Sequence, residues 1–272
     1  MTIVNPYLQV AIETAREAGA LLLREFDRPQ QIGYKGEVDI VTEADRRSEA
    51  TIVSKLRCHF PKHTIVAEEG GGQESDSEYR WYVDPLDGTT NFAHGYPCFC
   101  VSIGLAQGTA EKNDLLVGIV FNPVNGELFT AVKGEGAFLN QKKIRVSAVP
   151  RLSASLLSTG FPVQKRTQNP NIHYYWDFTM RSHGVRRDGS AALDLCGVAC
   201  GRFDGFWEFG LKPWDTAAGV LIVREAGGMA TDFAGNPYRL GGRELLASNS
   251  LIHAEMQQVA ADIAARAGEL PG

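Results

Sequence analysis

The periodicity of the apolar residues changes along the chain, and those changes narrow the folds open to it more than any other feature. Leu8, Ile12, Ala15, Leu22 and Phe26 recur at helical spacing, and Ile52, Val53, Leu56 and Phe60 do so again behind Thr42, a residue suited to capping a helix N-terminus. Two amphipathic helices therefore open the chain. Short β-type runs follow at 64–67, 81–83, 101–105, 115–121 and 127–132, punctuated by Gly, Pro and Asn. They predict a sheet with mostly antiparallel meander connections. Beyond residue 154 the pattern alternates: strand 155–158, helices 174–181 and 191–199, strand 203–209, helix 214–225, strand 229–232 and helix 252–265. Helices that flank sheets in both halves predict a layered α/β (α+β) sandwich. No repeat, low-complexity tract or long linker separates the halves, so they are expected to pack as one domain over 1–272. Its subdomains would cover about 1–147 and 148–272, with the seam near 147–153.

A chain of 272 residues can bury a sizeable core. Its 27 Lys and Arg stand against 32 Asp and Glu, a net charge of -5, which argues against wholesale binding to a nucleic-acid backbone. A phosphate-handling site would have to recruit its own cations. Apolar runs such as 115–121 are far too short to cross a bilayer, and residues 1–13 lack a basic stretch followed by an apolar one. The expectation is a soluble, cytoplasmic protein with no membrane partner. Five cysteines cannot all pair within one chain, and neither Cys98 with Cys100 nor Cys196 with Cys200 has the C-x-x-C spacing of a zinc or redox site. They read as buried, reduced thiols.

The segment 81–92, Trp-Tyr-Val-Asp-Pro-Leu-Asp-Gly-Thr-Thr-Asn-Phe, is the most informative. Residues 81–83 read as a buried strand that Pro85 stops, and the proline biases Asp84 towards an extended conformation. Asp84 and Asp87 can then converge, with the Leu86 carbonyl between them as a third hard oxygen. Such a set suits Mg²⁺ or Mn²⁺, not zinc. Gly88 permits close backbone approach, and Thr89, Thr90 and Asn91 initiate a helix whose free N–H groups suit an anion. The same Asp-Pro-Leu-Asp-Gly also reads as a surface turn before a capped helix. Glu68 and Glu69 follow the 64–67 run and would bring further acids to a neighbouring strand end. Asp215 lies just inside a helix that Pro213 and Trp214 start, where the helix dipole favours an acid in any protein.

Glu68, Asp84, Asp87 and Asp215 together carry four negative charges, which two divalent ions would balance. Phosphate monoesters need accelerations reaching on the order of 10²¹, and one acid–base pair contributes only about 10² to 10⁴. Metal ions can supply the remainder by lowering the pKa of a bound water and neutralising the attacking and leaving oxygens. Rival motifs are poor. No P-loop and no G-x-S-x-G elbow occurs, and Gly134-Glu135-Gly136 lacks the third glycine of a dinucleotide fingerprint. No H-E-x-x-H motif occurs among the six histidines; His94, just downstream of the aspartates, is the one of interest.

The 81–92 segment and a second stretch, 214–228 (W-D-T-A-A-G-V-L-I-V-R-E-A-G-G), together resemble the inositol monophosphatase family of lithium-sensitive, Mg²⁺-dependent phosphatases. The likeness extends to Val38-Asp39-Ile40-Val41-Thr42-Glu43-Ala44-Asp45, Glu68-Glu69 and Gly189-Ser190-Ala191-Ala192. It implies a five-layer α-β-α-β-α sandwich, usually a homodimer. By that resemblance Glu68, Asp84 and the Leu86 carbonyl look like ligands of a first metal, and Asp84, Asp87 and Asp215 like those of a second. A third, weaker ion would lean on Glu68. Thr89 and Asp45 resemble the pair that orients the attacking water, a role the residue pattern alone does not give Asp45, which reads as a first-turn helix acid. Gly88 and Thr89 N–H groups would hold the phosphate, and Asp87, Ser190, Ala191 and Glu208 would meet the substrate. Read without the resemblance, Glu208 is a solvent-facing acid alternating with aromatics on a strand. Asp188, in Arg186-Arg187-Asp188, is an unexpected acid that would alter either the pocket rim or a dimer contact.

The reaction expected is hydrolysis of myo-inositol monophosphate by a metal-activated water. The alternatives are the same chemistry on fructose 1,6-bisphosphate, histidinol phosphate, a nucleotide 3'-phosphate or NADP. A rival of another class is a regulatory protein that keeps the fold and contacts RNA or transcription machinery.

Overall fold

Small and apolar residues on one stripe of α1 (Pro6–Phe26), among them Ala11, Ala15, Ala18 and Leu22, are fully buried, and this stripe seats the helix against its neighbours. A short antiparallel pair, β1 (Ile32–Tyr34) and β2 (Ile40–Thr42), leads into α2 (Glu43–His59), with Thr42 at its N-cap as its residue type foretold. The computed structural model describes residues 5–26, 28, 32–34, 40–109, 113–161 and 169–266. Val38 and Asp39 of the quoted motif, and residues 1–4 of the opening segment, lie outside these.

The two helices cover one face of a seven-stranded sheet. Its strands, β3 (Thr64–Ala67), β4 (Tyr79–Asp87), β5 (Cys100–Gly108), β6 (Asn113–Asn122), β7 (Glu127–Val132), β8 (Gly136–Leu139) and β9 (Lys142–Lys143), lie side by side in chain order. The meander expected from the sequence is there, with one exception: β3 pairs parallel with β4, Ala67 opposite Val83. That exception sets the residue after β3 beside Asp84. Pro85 does not stop the strand as expected. The ladder with β5 breaks at a bulge between Asp84 and Asp87 and resumes at Asp87 opposite Cys100, because a bulge accommodates the N–H that proline lacks. A five-residue helix, α3 (Thr89–Ala93), follows.

Past the short turn at 152–154 the chain builds a second sheet from β10 (Leu156–Thr159), β11 (Gly184–Arg186), β12 (Gly205–Phe209), β13 (Met229–Thr231) and β14 (Glu244–Ser248), in the order β11-β10-β12-β14-β13. Helices α5 (Ala191–Ala199) and α6 (Pro213–Glu225) lie between the sheets, while α4 (Asn171–Arg181) and α7 (His253–Ala265) cover the outer face of the second. The result is the layered α-β-α-β-α sandwich. Strand β12 starts at Gly205 and not at 203, because Arg202 and Phe203 turn back to bond the Gly197 carbonyl. Strands β8, β9, β11 and β14 were not expected from the sequence pattern.

Helix α6 fits the first sheet through two glycines that face each other across β5 and β6. Gly104 and Gly118 are register partners, and a Cβ on them would stand 2.7 Å from the Ala217 Cβ and 2.7 Å from the Ala218 oxygen. Their bare backbone lets the helix lie close, and Asp215 rides on its first turn. The five cysteines are unpaired, as expected. Cys100 and Cys196 are buried, whereas Cys58 near the end of α2 is exposed, contrary to its reading as a core thiol.

Candidate active site

Asp84 and Asp87 flank the β4 bulge at the edge of the central helical layer. Asp84 is 2 % exposed, and its Oδ1 accepts the Leu86 N–H at 3.0 Å, so the carboxylate helps to fold its own bulge. Ser48 of α2 donates to the Pro85 carbonyl at 2.7 Å and ties the bulge to the outer helix. Gly88 has φ 99, and a Cβ there would lie 2.8 Å from the Cys98 oxygen. The close approach and the left-handed turn both require glycine, as its place in the motif implied.

Beyond Gly88, the Thr89 hydroxyl lies 2.9 Å from Asp45 Oδ1 and 3.0 Å from the Leu86 carbonyl. It has one proton to donate, and the charged acceptor takes it more strongly. The other Asp45 oxygen accepts the Thr42 N–H at 2.7 Å and its hydroxyl at 2.6 Å. Asp45 is fully buried at the start of α2, so it is both the first-turn acid that the sequence suggested and the partner of Thr89.

Glu68 follows β3 and hydrogen-bonds through its N–H to the Val83 carbonyl at 3.2 Å, which puts it next to Asp84. Asp215 arrives from the second half of the chain. Its Oδ2 accepts the Lys212 N–H at 2.7 Å, so the capping role that any acid could play here is also filled. Burial, and then the charges of Glu68, Asp87 and Asp215, raise Asp84 well above the usual carboxylate range. Burial likewise raises Asp215, with the Asp87 charge next, while Lys212 offsets part of this. Asp87 is raised by burial too, against hydrogen bonds to its Oδ2 from Ser190 Oγ and Ala192 N, both at 2.7 Å.

The residues that the resemblance assigns to the substrate gather on the same flank. Ser190 caps α5, Ala191 begins it, and Asn91 donates to the Cys98 and Asp188 carbonyls at 2.7 Å each, which joins the β4–α3 turn to the segment before α5. Glu208 is 8 % exposed, not solvent-facing, and its carboxylate occupies the space a side chain at Gly160 would need. The charges of Glu208, Asp188 and Asp87, after burial, raise Asp194 well above its usual range. Asp194 Oδ2 is buried without a hydrogen-bond partner among the described residues. Sequence reading passed over Asp194 and Ser48; the one visible signal was an acid inside the apolar run 191–199. His94 closes α3 as an exposed residue and joins no ligand set.

Among the described residues, no three acidic, histidine or cysteine side chains are placed as they stand to hold a metal ion together. The acids stand within electrostatic reach of one another. A set of carboxylates in which burial, and then the neighbouring charges, raise Asp84 and Asp215, with a backbone carbonyl beside them, fits a hard divalent cation such as Mg²⁺ and not zinc.

Comparison with known proteins agrees with this geometry. The chain is 46% identical over 262 residues to the inositol-1-monophosphatase of Synechocystis sp., covering 95% of this chain and 90% of that one. It is 44% identical to the Nus factor SuhB of Haemophilus influenzae, covering 94% and 96%. The solved inositol monophosphatase from Anabaena superposes with a TM-score of 0.83 at 42% identity, covering 94% of this chain and 95% of that chain. Residues 4–268 match the sequence pattern of a single family. Two signature stretches, the layered sandwich that brings them together and likeness along nearly the whole length lead to one conclusion: this chain belongs to the inositol monophosphatase family.

Proposed function

We propose that the protein hydrolyses a phosphate monoester of a small polyol, myo-inositol monophosphate foremost, with Mg²⁺ held by Glu68, Asp84, the Leu86 carbonyl, Asp87 and Asp215. The observation that carries this is the Asp45–Thr89 hydrogen bond directly beside the buried acids. When bound, divalent ions would lower the pKa of an attacking water and offset the charge on the ester oxygens. Mn²⁺ is a chemically equivalent substitute, and two or three ions match the number of acids. Thr89 gives its proton to Asp45, so its oxygen is left to accept one from water and to fix that water's orientation. With the hydroxyl proton so used, the Leu86 carbonyl remains available as a ligand. The Gly88 and Thr89 N–H groups stand at the start of α3, where helix geometry leaves them without an acceptor of their own, and they would hold the phosphate. Asp87, Ser190, Ala191 and Glu208 face the polyol.

Asp87→Asn keeps the size of the side chain and the Ser190 contact, so it should fold normally and lose turnover. Turnover at the wild-type level would sink the assignment. Relative kcat/KM over myo-inositol monophosphate, fructose 1,6-bisphosphate, histidinol phosphate, a nucleotide 3'-phosphate and NADP tests the substrate, with the inositol ester expected to lead. Lithium inhibition is expected through the Asp84, Asp87 and Asp215 site. A homodimer is the expected assembly.

A second reading rests on the relative named Nus factor SuhB. A contact with transcription machinery would then coexist with catalysis, since every proposed ligand is present here. The Asp87→Asn protein would retain such a partner in a pull-down if the two roles are independent.

A further inference from the structure

Glu49 lies one helical turn beyond Asp45 on α2 and is 4 % exposed. Its two carboxylate oxygens accept backbone N–H groups from the loop immediately after Glu68: Oε2 from Glu69 at 2.6 Å and Oε1 from Gly71 at 2.7 Å. Near the other end of the same helix, Arg57 donates to the carbonyls of Gly71 and Gly72 at 3.0 and 2.7 Å. The loop is thus held by its donors on one side and by its acceptors on the other. Hydrogen bonds to charged groups are roughly twice as strong as neutral ones.

Two further observations show that this arrangement is built. Gly71 is exposed and lies outside the left-handed region, yet a Cβ on it would stand 2.6 Å from Glu49 Oε1 and push the carboxylate away from the N–H it accepts. A cavity of about 560 Å³ opens beside the loop, lined by Glu49, Arg57, Glu69 and Gly70 among others, so packing alone does not hold the loop in place. On the strand side, the Glu68 N–H is fixed to the Val83 carbonyl. Glu68 therefore sits between a sheet bond before it and the Glu49 bonds after it.

We propose that Glu49, assisted by Arg57, is a positioning residue that holds the backbone behind Glu68 so that the Glu68 carboxylate meets the metal. The inference rests on the reading of Glu68 as a metal ligand. Groups that orient a metal's ligands typically carry about 10- to 100-fold in metal affinity, and that is the effect expected here.

The test is calorimetric titration of the metal-free, full-length protein with MgCl₂, alongside its melting temperature and its kcat at saturating Mg²⁺. Glu49→Ala and Gly71→Ala should each weaken Mg²⁺ binding by about 10- to 100-fold, with kcat at saturating Mg²⁺ unchanged within a few-fold. Glu49→Gln, which keeps one strong acceptor, should recover part of the affinity. Gly71→Ala alters only an exposed loop position and decides the matter if Glu49→Ala does not fold. Unchanged Mg²⁺ affinity in Gly71→Ala, while Glu68→Gln weakens binding, would overturn the positioning role and leave the ligand reading standing. Unchanged affinity in Glu68→Gln would overturn the ligand reading and, with it, the role assigned to Glu49.

Discussion

Thr89 and Asp45 are separated by 44 positions, and their hydrogen bond is the most specific contact in the site. In the proposed mechanism they act on one water as a unit, so Thr89→Ala and Asp45→Asn should each lower kcat by about 10² to 10⁴. The double variant should lose little more than either alone, as steady-state kinetics would show. Asp84 makes a second residue-scale prediction. Its pKa is raised in the folded state, so the fold retains its proton where the unfolded chain has released it. Stability from this group is therefore present below the ordinary carboxylate value of 3.8 and is lost as pH rises towards the folded-state value. Melting temperatures of the metal-free protein should fall as pH rises from 3.8 towards the folded-state value. Asp84→Asn should flatten the fall and also abolish Mg²⁺ binding.

At the scale of elements, α2 and α6 hold the site from opposite faces of the first sheet. Helix α2 contributes Asp45, Ser48 and Glu49 within five positions, and successive turns reach Thr89, the β4 bulge and the loop after β3. Helix α6 contributes Asp215, and its depth is set by Gly104 and Gly118. Gly118→Ala would press a methyl against the Ala218 backbone, and such overpacking costs about 1–3 kcal/mol. The melting temperature should drop accordingly, and Mg²⁺ affinity should weaken because Asp215 moves with the helix. A drop in melting temperature with unchanged affinity would show that Asp215 does not depend on how deeply α6 sits.

Over the whole molecule, the two halves meet through the central helices and through polar ties between distant segments. Glu225 at the end of α6 accepts the N–H groups of Gly134 and Gly136 at 2.8 Å each, Arg202 pairs with Glu127, and Asn91 bonds the Asp188 carbonyl. The proposed metal site, drawn from both halves, would tie binding to folding. Mg²⁺ at 100 times its dissociation constant should stabilise the fold by about 2.7 kcal/mol. Thermal melts should show that gain in the unaltered protein and its loss in Asp215→Asn.

Local periodicity and the Asp84-Pro85-Leu86-Asp87-Gly88 segment were enough to find the main helices, the longer strands and the pair of aspartates, because these depend on neighbours within a few positions. Helix 191–199 and the N-cap at Thr42 were legible to the residue for that reason. Strands β8, β9, β11 and β14 were not, whereas β3, β10 and β13, equally short, stood out as apolar runs between turn residues. Side-chain alternation also misplaced Glu208, because it says which residues share a face but not whether another layer covers that face. What only the tertiary structure decided is which distant segments become neighbours: Asp45 with Thr89, Ser190 with Asp87 across 103 positions, and Glu49 with the loop behind Glu68. Those contacts follow from the parallel pairing of β3 with β4 and from two sheets closing on one helical layer. Both are long-range choices of burial that no local run of sequence encodes.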